Sequence, residues 1–100
     1  NTTMETKYTP GNWYAKQNMH NWYVASESGK SNDIALVRGS DEEAKQNALL
    51  IAAAKDMYET LDESSNRLLY CIDIYDLPEE VIAILKGEAI SMLRAMPHFD

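Results

Sequence analysis

The chain has 100 residues, 45% of them hydrophobic, and a formal net charge of −7 at pH 7. This length supports one domain with one core, and the hydrophobic content excludes wholesale disorder. The 9 lysines and arginines are scattered among 16 acidic residues, so nucleic-acid binding is disfavoured, because a phosphate backbone would repel the chain. We therefore expect a single domain over residues 1–100, with a flexible polar segment at 1–9.

The cysteine count and the hydropathy pattern predict a cytoplasmic protein. Cys71 is the only cysteine, so no intrachain disulfide can form, which fits a reducing compartment. The first eight residues are polar and lack the apolar stretch of a signal peptide. No apolar run approaches the ~20 residues that span a membrane, so we predict no membrane contact.

Residues 10–38 carry the pattern of a three-stranded antiparallel β-meander. Pro10 and Gly11 mark a turn. Two segments at 12–16 and 21–25 each contain a Trp-Tyr pair, and the apolar segment 34–37 predicts the third strand. A sheet of this size is marginal alone, so we expect the next helix to pack on it.

Alternation along these strands assigns side chains to two faces, because successive residues of a strand point to opposite sides. The predicted core face holds Trp13, Trp22, Val24, Ile34 and Leu36. Tyr14 and Tyr23 would then lie on the opposite face.

The first predicted helix covers residues 41–75. Ser40 and Glu43 have the spacing of a capping box, which marks its start. An apolar stripe at 3,4 spacing then continues without proline or glycine, through Leu50, Ala54, Met57, Leu61, Ser64, Leu68, Cys71 and Tyr75. A break at the polar cluster 62–66 is the alternative.

A second helix is predicted after Asp76, which would cap it, with Pro78 in the first turn and Pro97 at its end. The short connection makes the two helices antiparallel, so residues 40–97 would form a helical hairpin. The fold class is therefore α+β: a three-stranded antiparallel β-meander, a long helix and a second antiparallel helix. Since the first helix is much the longer, an apolar strip left uncovered on it would favour a homodimer.

Two stretches resemble a group of short phage and prophage proteins. Thr9-Pro10-Gly11-Asn12-Trp13 resembles their "TPGPW" opening, and residues 47–61 resemble their helical signature, roughly "ANARLIAAAPELLEAL". The resemblance covers residues 8–61. Asn12 and Lys55 stand where the group has proline, and Lys55 thereby removes one reason for a helix break. The resemblance implies a phage or prophage origin and the cytoplasm of a bacterial host, and it implies no chemistry.

The residues that we single out as a structural signature are Trp13, Trp22, Asn47, Ile51 and Ala54. Asn47 is polar on an otherwise apolar helix, so we expect it to hydrogen-bond the strand backbone and set the register of sheet and helix. Membership of a binding site is the other interpretation.

No catalytic, metal-binding or cofactor-binding residues are predicted. His20 and His98 have no cysteine or second histidine at metal-ligand spacing. Cys71 has no base near it in the sequence, so we interpret it as a small core residue.

Tyr14 and Tyr23 are the candidate partner-binding residues, because exposed aromatics are enriched at binding hot spots. Cross-strand pairing is the competing interpretation of the same residues. The first hypothesis is a non-enzymatic phage accessory protein that binds a protein partner as yet unknown. The alternative is a self-associating, homodimeric structural module. A nucleic-acid mimic and a small enzyme are less favoured.

Overall fold

The computed structural model describes residues 8–28 and 33–99. It contains strands β1 (Trp13–Asn18), β2 (Asn21–Ser26) and β3 (Asp33–Val37), followed by helices α1 (Asp41–Ile74) and α2 (Glu79–Ala95). The predicted α+β class, with an antiparallel meander followed by two helices, is confirmed. Most of the segment predicted to be flexible lies outside the described residues.

The chain divides into two compact units, Asn1–Lys55 and Asp56–Asp100, and the boundary falls within α1. We call the first the sheet unit, since it contains the three strands and the beginning of α1. The second is the hairpin unit, which contains the rest of α1 and α2.

A β-bulge interrupts the pairing of β2 with β3. Val24 pairs with Ala35, but the next residue of β2, Ala25, pairs with Asp33. Ile34 is therefore an extra residue without a partner across the strand. One extra residue shifts the alternation of side chains by one position on the two sides of the bulge.

The bulge explains one error in the predicted core. Ile34 and Ala35 both pack against the core, although they are neighbours in the chain. The next residue, Leu36, consequently lies on the outer face with 47% of its surface exposed. The assignment of Leu36 to the core face is wrong, and the buried residue at this end of β3 is Val37.

The core of the sheet unit lies between one face of the sheet and α1. Its buried residues are Val24, Val37, Ala44 and Ala48. Partly buried side chains pack around them, namely Trp13, Ala15, Trp22, Ile34, Ala35 and Ala52. Ala44, Ala48 and Ala52 are spaced four residues apart and so share one side of α1, and the side chains that α1 contributes to this core are methyl groups.

The buried stripe of α1 in the sheet unit therefore differs from the predicted one. The apolar spacing placed Leu50 and Ala54 inward, but Leu50 is 64% exposed and Ala54 is also exposed. A helix that lies close to a sheet has room for alanine between them but not for leucine. The side of α1 that faces the sheet is therefore not its most hydrophobic side. In the hairpin unit the predicted residues Leu61, Ser64, Leu68 and Cys71 are half-buried, whereas Met57 and Tyr75 are exposed.

The predicted capping box begins α1. The Ser40 amide donates to Glu43 Oε1 at 3.4 Å, and the Glu43 amide donates to Ser40 Oγ at 3.4 Å. The first backbone amides of a helix have no partner within it. Here the side chains of Ser40 and Glu43 each accept a hydrogen bond from the backbone amide of the other residue. The three acidic residues of the first turn also complement the positive end of the helix dipole.

Helix α1 is continuous through the polar cluster 62–66, which confirms one helix rather than two. Ser65 is completely buried there, and its hydroxyl donates to the backbone oxygen of Asp62 at 3.0 Å. The polar side chain finds its partner inside the helix, so no break is required.

The N-cap of helix α2 lies two residues later than predicted. Pro78 occupies the N-cap position with φ −60° and ψ 151°, and it has no side-chain cap. The assignment of Asp76 as the cap is therefore wrong. A proline favours an extended conformation in the residue before it, which prevents the helix from including Leu77.

Within the hairpin unit α2 returns along α1. The Phe99 ring meets the Tyr58 ring edge-on, with the two centroids 5.3 Å apart. The completely buried side chains of this unit are the small ones of Ser65 and Ala89, among the described residues. The antiparallel hairpin thus has a narrow core.

Candidate protein-binding surface

The sheet face turned away from the core carries a group of large side chains, which we call the outer sheet face. It comprises Tyr14, Lys16, Tyr23, Asp33 and Leu36. Lys16 pairs with Tyr23, and Tyr23 pairs with Leu36, so these three form a row across all three strands. In the adjacent row Ala25 pairs with both Tyr14 and Asp33.

Lys16, on β1, contacts side chains of both other strands on this face. Its Nζ lies 2.9 Å from Asp33 Oδ1 and 5.9 Å from the centroid of the Tyr23 ring. The hydrogen bond that Lys16 donates to Asp33 raises the pKa of Lys16 above its ordinary value, and the opposing effect of desolvation is smaller. The salt bridge joins the outer strands over the middle one and leaves the face without net charge.

The outer sheet face is both apolar and accessible. Tyr14 is 38% exposed and Leu36 47% exposed, while Ala25 beneath them is buried. Tyr23 is half-buried. Tyrosine offers a large apolar ring and a hydroxyl at low conformational cost, which suits contact with a protein surface. The structure therefore places both predicted tyrosines on the face opposite to the core.

The opening Thr9-Pro10-Gly11-Asn12-Trp13 forms a turn tied to the end of β2. The Pro10 carbonyl accepts hydrogen bonds from the hydroxyls of Ser26 and Ser28. The indole N–H of Trp13 donates to the Thr9 carbonyl at 2.9 Å, while its ring packs on the core. Each of these contacts lies within the sheet unit, so the motif joins the start of β1 to the end of β2.

Gly11 is required by this turn for two reasons. Its φ is +87°, in the region that favours glycine. A Cβ there would also lie 2.6 Å from Ser28 Cβ. The backbone of the turn thus passes too close to Ser28 for any side chain.

The other signature residues lie in different surroundings. Trp22 packs against the core of the sheet unit. Asn47, Ile51 and Ala54 are exposed on α1, and no hydrogen bond joins the Asn47 side chain to a described strand residue. Only the two tryptophans of this group belong to the core.

Lys55, the second departure from the family pattern, lies inside α1. Its Nζ is 6.0 Å from the centroid of the Tyr8 ring, which in turn packs edge-on against Trp13. The lysine thus reaches the opening turn, and helix α1 continues past it.

Both units expose further apolar side chains on the helices and just beyond the helix ends. In the sheet unit these are Leu49, Leu50 and Ile51. In the hairpin unit they are Met57, Leu69, Tyr70, Ile74, Tyr75, Val81, Ile84, Ile90, Leu93 and Phe99. Where such side chains are contiguous, they mark candidate interaction surfaces.

A pocket of about 270 Å³ lies near the end of α2. It is lined by Tyr58, Asp62, Leu93, Met96, Pro97, His98 and Phe99. A second pocket of about 370 Å³ is lined by Asp56, Met57, Thr60 and Leu61. Small-molecule sites have volumes of about 300–1,000 Å³ and combine an apolar lining with a few converging polar groups. Among the described residues, no three of His, Cys, Asp and Glu are grouped to hold a metal ion.

Two contributions to the candidate surface were not found by sequence reasoning. The Lys16–Asp33 pair depends on the register of three strands, which no local pattern encodes. Leu36 reached the surface only because of the bulge. The hydroxyls of Ser26 and Ser28 were also missed, since serines at a strand end look like ordinary turn residues.

The fold and this surface define a small α+β protein in which a β-meander and a helical hairpin both present apolar groups to solvent. Residues 4–84 match the family described as Salmonella phage P22 protein Y8K6. The chain belongs to that phage protein family. No curated protein and no solved structure matches the chain. Within the described part of the chain, no helix has the length and apolar character needed to cross a membrane.

Proposed function

We propose that this phage protein is a non-enzymatic accessory protein that binds another protein through its outer sheet face. The observation that carries the proposal is the exposure of Tyr14 and Leu36 beside the internally neutralised Lys16–Asp33 pair. The phage family supports an accessory role, and we place that role in the cytoplasm of the bacterial host.

The outer sheet face has the properties of a binding centre. The strand pairing holds Tyr14 and Tyr23 in place, so little conformational entropy is lost when they are covered. The charges of Lys16 and Asp33 satisfy each other, so a partner need not supply a counter-ion. A suitable partner would offer apolar pockets for the rings and acceptors for the tyrosine hydroxyls.

The composition also bears on the partner. The net charge of −7 favours association with a basic protein surface and opposes a nucleic-acid ligand. Charge would act mainly on the rate of encounter, while the tyrosines and Leu36 would provide most of the affinity.

The test compares proteins captured from host lysate by three tagged forms of the chain. These are the wild type, the double variant Tyr14→Ser/Leu36→Ser, and the control Leu49→Ser/Leu50→Ser. All four positions are exposed, so neither variant removes a core side chain. We expect a host or phage protein that binds the wild type and the control at micromolar concentration and is lost with the sheet variant.

Two results would contradict the proposal. One is equal capture by the sheet variant, which would move the contact to another surface. The other is the absence of any specific partner at micromolar concentration. Thermal unfolding of each variant by circular dichroism verifies that loss of capture does not come from loss of the fold.

Self-association is the second candidate function. The exposed isoleucines, leucines and tyrosines of the hairpin unit favour it, because a second copy would cover them. Sedimentation up to ~500 μM that shows only the 11.3 kDa species would exclude it.

A further inference from the structure

One side of α2 is apolar and uncovered. Its two large side chains are Ile84, 65% exposed, and Ile90, 45% exposed. Residues 82, 85, 89, 92 and 96 are the buried or half-buried positions of this segment, and they lie on the other side of the helix. The exposed side contains Ala83, Ile84, Gly87, Ile90 and Ser91, with Glu80 and Arg94 at its ends, and we call it the Gly87 face.

No contact among the described residues requires a glycine at position 87. A glycine inside a helix costs roughly 1 kcal/mol relative to alanine. A Cβ at Gly87 would meet nothing within 4 Å, so the fold leaves room for a side chain. Glycine is useful in such a position when another backbone approaches closely. The neighbours Ala83 and Ser91, one turn away on each side, are also small.

The residues of this face are symmetric about Gly87. Three positions before and after it stand Ile84 and Ile90, and four positions away stand Ala83 and Ser91. Seven positions away stand Glu80 and Arg94, which carry opposite charges. In an antiparallel pair of helices related by a two-fold axis at Gly87, residues equally distant from it come level with each other.

We infer that the Gly87 face is a seam for a second copy of the chain, with the two α2 helices antiparallel and crossing at Gly87. Ile84 of each copy then lies level with Ile90 of the other. Glu80 of each copy lies level with Arg94 of the other, at both ends of the seam. This inference rests on the second candidate function, self-association, and does not involve the outer sheet face.

The charges select this occupant and this orientation. The whole chain carries −7, so two copies repel each other over most of their surface. The Gly87 face contains one negative and one positive residue, so it is neutral. A parallel pair would bring Glu80 against Glu80 and Arg94 against Arg94. The flanking Lys86 and Glu88 lie about 100° to either side of Gly87 and point out of the seam.

The helix dipole is the competing explanation for part of this pattern. Glu80 in the first turn and Arg94 in the last turn stabilise any isolated helix. The dipole explains neither a glycine in the centre nor two exposed isoleucines beside it. A contact with another helix explains all of these features together.

A seam between two single helices is smaller than the ~1,600 Å² of a standard protein interface. We therefore expect a dimer that dissociates at concentrations on the order of micromolar to tens of micromolar. Sedimentation velocity of the full chain over a range from ~1 to ~500 μM covers this interval.

The decisive variant is Gly87→Leu. A leucine in the centre of the seam would hold the helices apart, so the dissociation constant should rise at least about tenfold. The same substitution should raise the melting temperature of the monomer, because leucine is a better helix former than glycine. The control Glu88→Leu adds the same side chain at the next position, outside the seam, and should leave the dimer intact.

Charge exchange tests the orientation. Glu80→Arg alone and Arg94→Glu alone should each weaken the dimer by roughly threefold or more, because each places like charges together at both ends. The double variant should recover most of the loss, since each arginine again faces a glutamate. Each variant also loses a favourable interaction between a charged side chain and the helix dipole. Thermal unfolding followed by circular dichroism at low concentration measures how much this loss destabilises the monomer.

Three outcomes would overturn the inference. A wild type that stays at 11.3 kDa up to ~500 μM would refute both self-association and the seam. A dimer that Gly87→Leu leaves unchanged would refute the seam while self-association stands. Failure of the charge exchange to restore the dimer would refute the antiparallel arrangement. Capture of a host protein by the outer sheet face is independent of all three results.

Discussion

The sheet unit and the hairpin unit bury their side chains to different extents. In the sheet unit Val24, Ala25, Ser26 and Ala48 have no exposed surface. In the hairpin unit only the small Ser65 and Ala89 are buried to that degree among the described residues. Most of the large exposed apolar side chains of the helices also belong to the hairpin unit.

The difference follows from architecture. A sheet covered by a helix encloses one complete layer of side chains, so Val24 and Val37 can be excluded from water. Two helices side by side have only one narrow line of contact, and the remaining sides of both stay in solvent. A further partner would therefore bury more apolar surface on the hairpin unit than on the sheet unit. The stability of the sheet unit depends instead on the close packing of its own side chains.

The largest expected effect is at Gly11, where the internal fit of the sheet unit is tightest. Gly11→Ala should destabilise the protein by about 2–3 kcal/mol, because the positive φ and the contact with Ser28 both oppose a Cβ. Urea unfolding followed by circular dichroism measures the loss. A change below about 0.5 kcal/mol would mean that the turn can open without cost to the sheet.

Overfilling the contact between sheet and helix should have the next largest effect. Ala48 has no exposed surface, so Ala48→Leu should cost about 1–3 kcal/mol through displacement of α1 from the sheet. The neighbouring substitution Leu49→Ala is the control, because Leu49 is about half exposed and should change stability little. Equal destabilisation by both variants in urea melts would contradict the packing described for the sheet unit.

A glycine in the hairpin unit should respond in the opposite sense to Gly11. Gly87→Ala should stabilise the monomer by up to about 1 kcal/mol, since the new methyl group meets open space within the chain. The melting temperature at low micromolar concentration measures this effect. If the alanine variant melts earlier than the wild type, then the surroundings of Gly87 are not open.

The smallest effect concerns the salt bridge of the outer sheet face. The folded-state pKa of Lys16 is raised above 10.5, so its contribution to stability is complete below that pH and is lost as pH rises through the folded-state value. The wild type should therefore exceed Lys16→Met in melting temperature at pH 8, and the difference should shrink above pH 10.5. If this difference in melting temperature stayed constant to higher pH, the ion pair between Lys16 and Asp33 would not be stabilising the folded protein.

Features that depend on neighbouring residues were predictable from the sequence. The capping box of Ser40 and Glu43, the start of α1 and its continuity past Lys55 were all expected and are present. The position of Tyr14 and Tyr23 opposite to the core followed from strand alternation before the bulge. Local hydrogen bonding and backbone periodicity involve only a few adjacent residues, so the sequence contains the necessary information.

Features that depend on what packs against an element were not predictable. Leu36 and Leu50 were expected inside and are exposed, while the small Ala44 and Ala48 are buried instead. Asp76 was expected to cap α2, but Pro78 occupies that position. Each of these expectations rested on a residue preference that the geometry of the fold overrode. The bulge explains Leu36, the distance from helix to sheet explains Leu50, and the conformation imposed by proline explains Asp76.

The sequence by itself determined the order of strands and helices, their approximate ends and the acidic net charge, and it indicated a phage origin. Only the tertiary structure decided which side of α1 and of the end of β3 is covered, and hence that Leu36 and Leu50 are exposed. The physical reason is that burial is a property of the space between elements. That space depends on register, on side-chain volume and on distances between residues far apart in the chain.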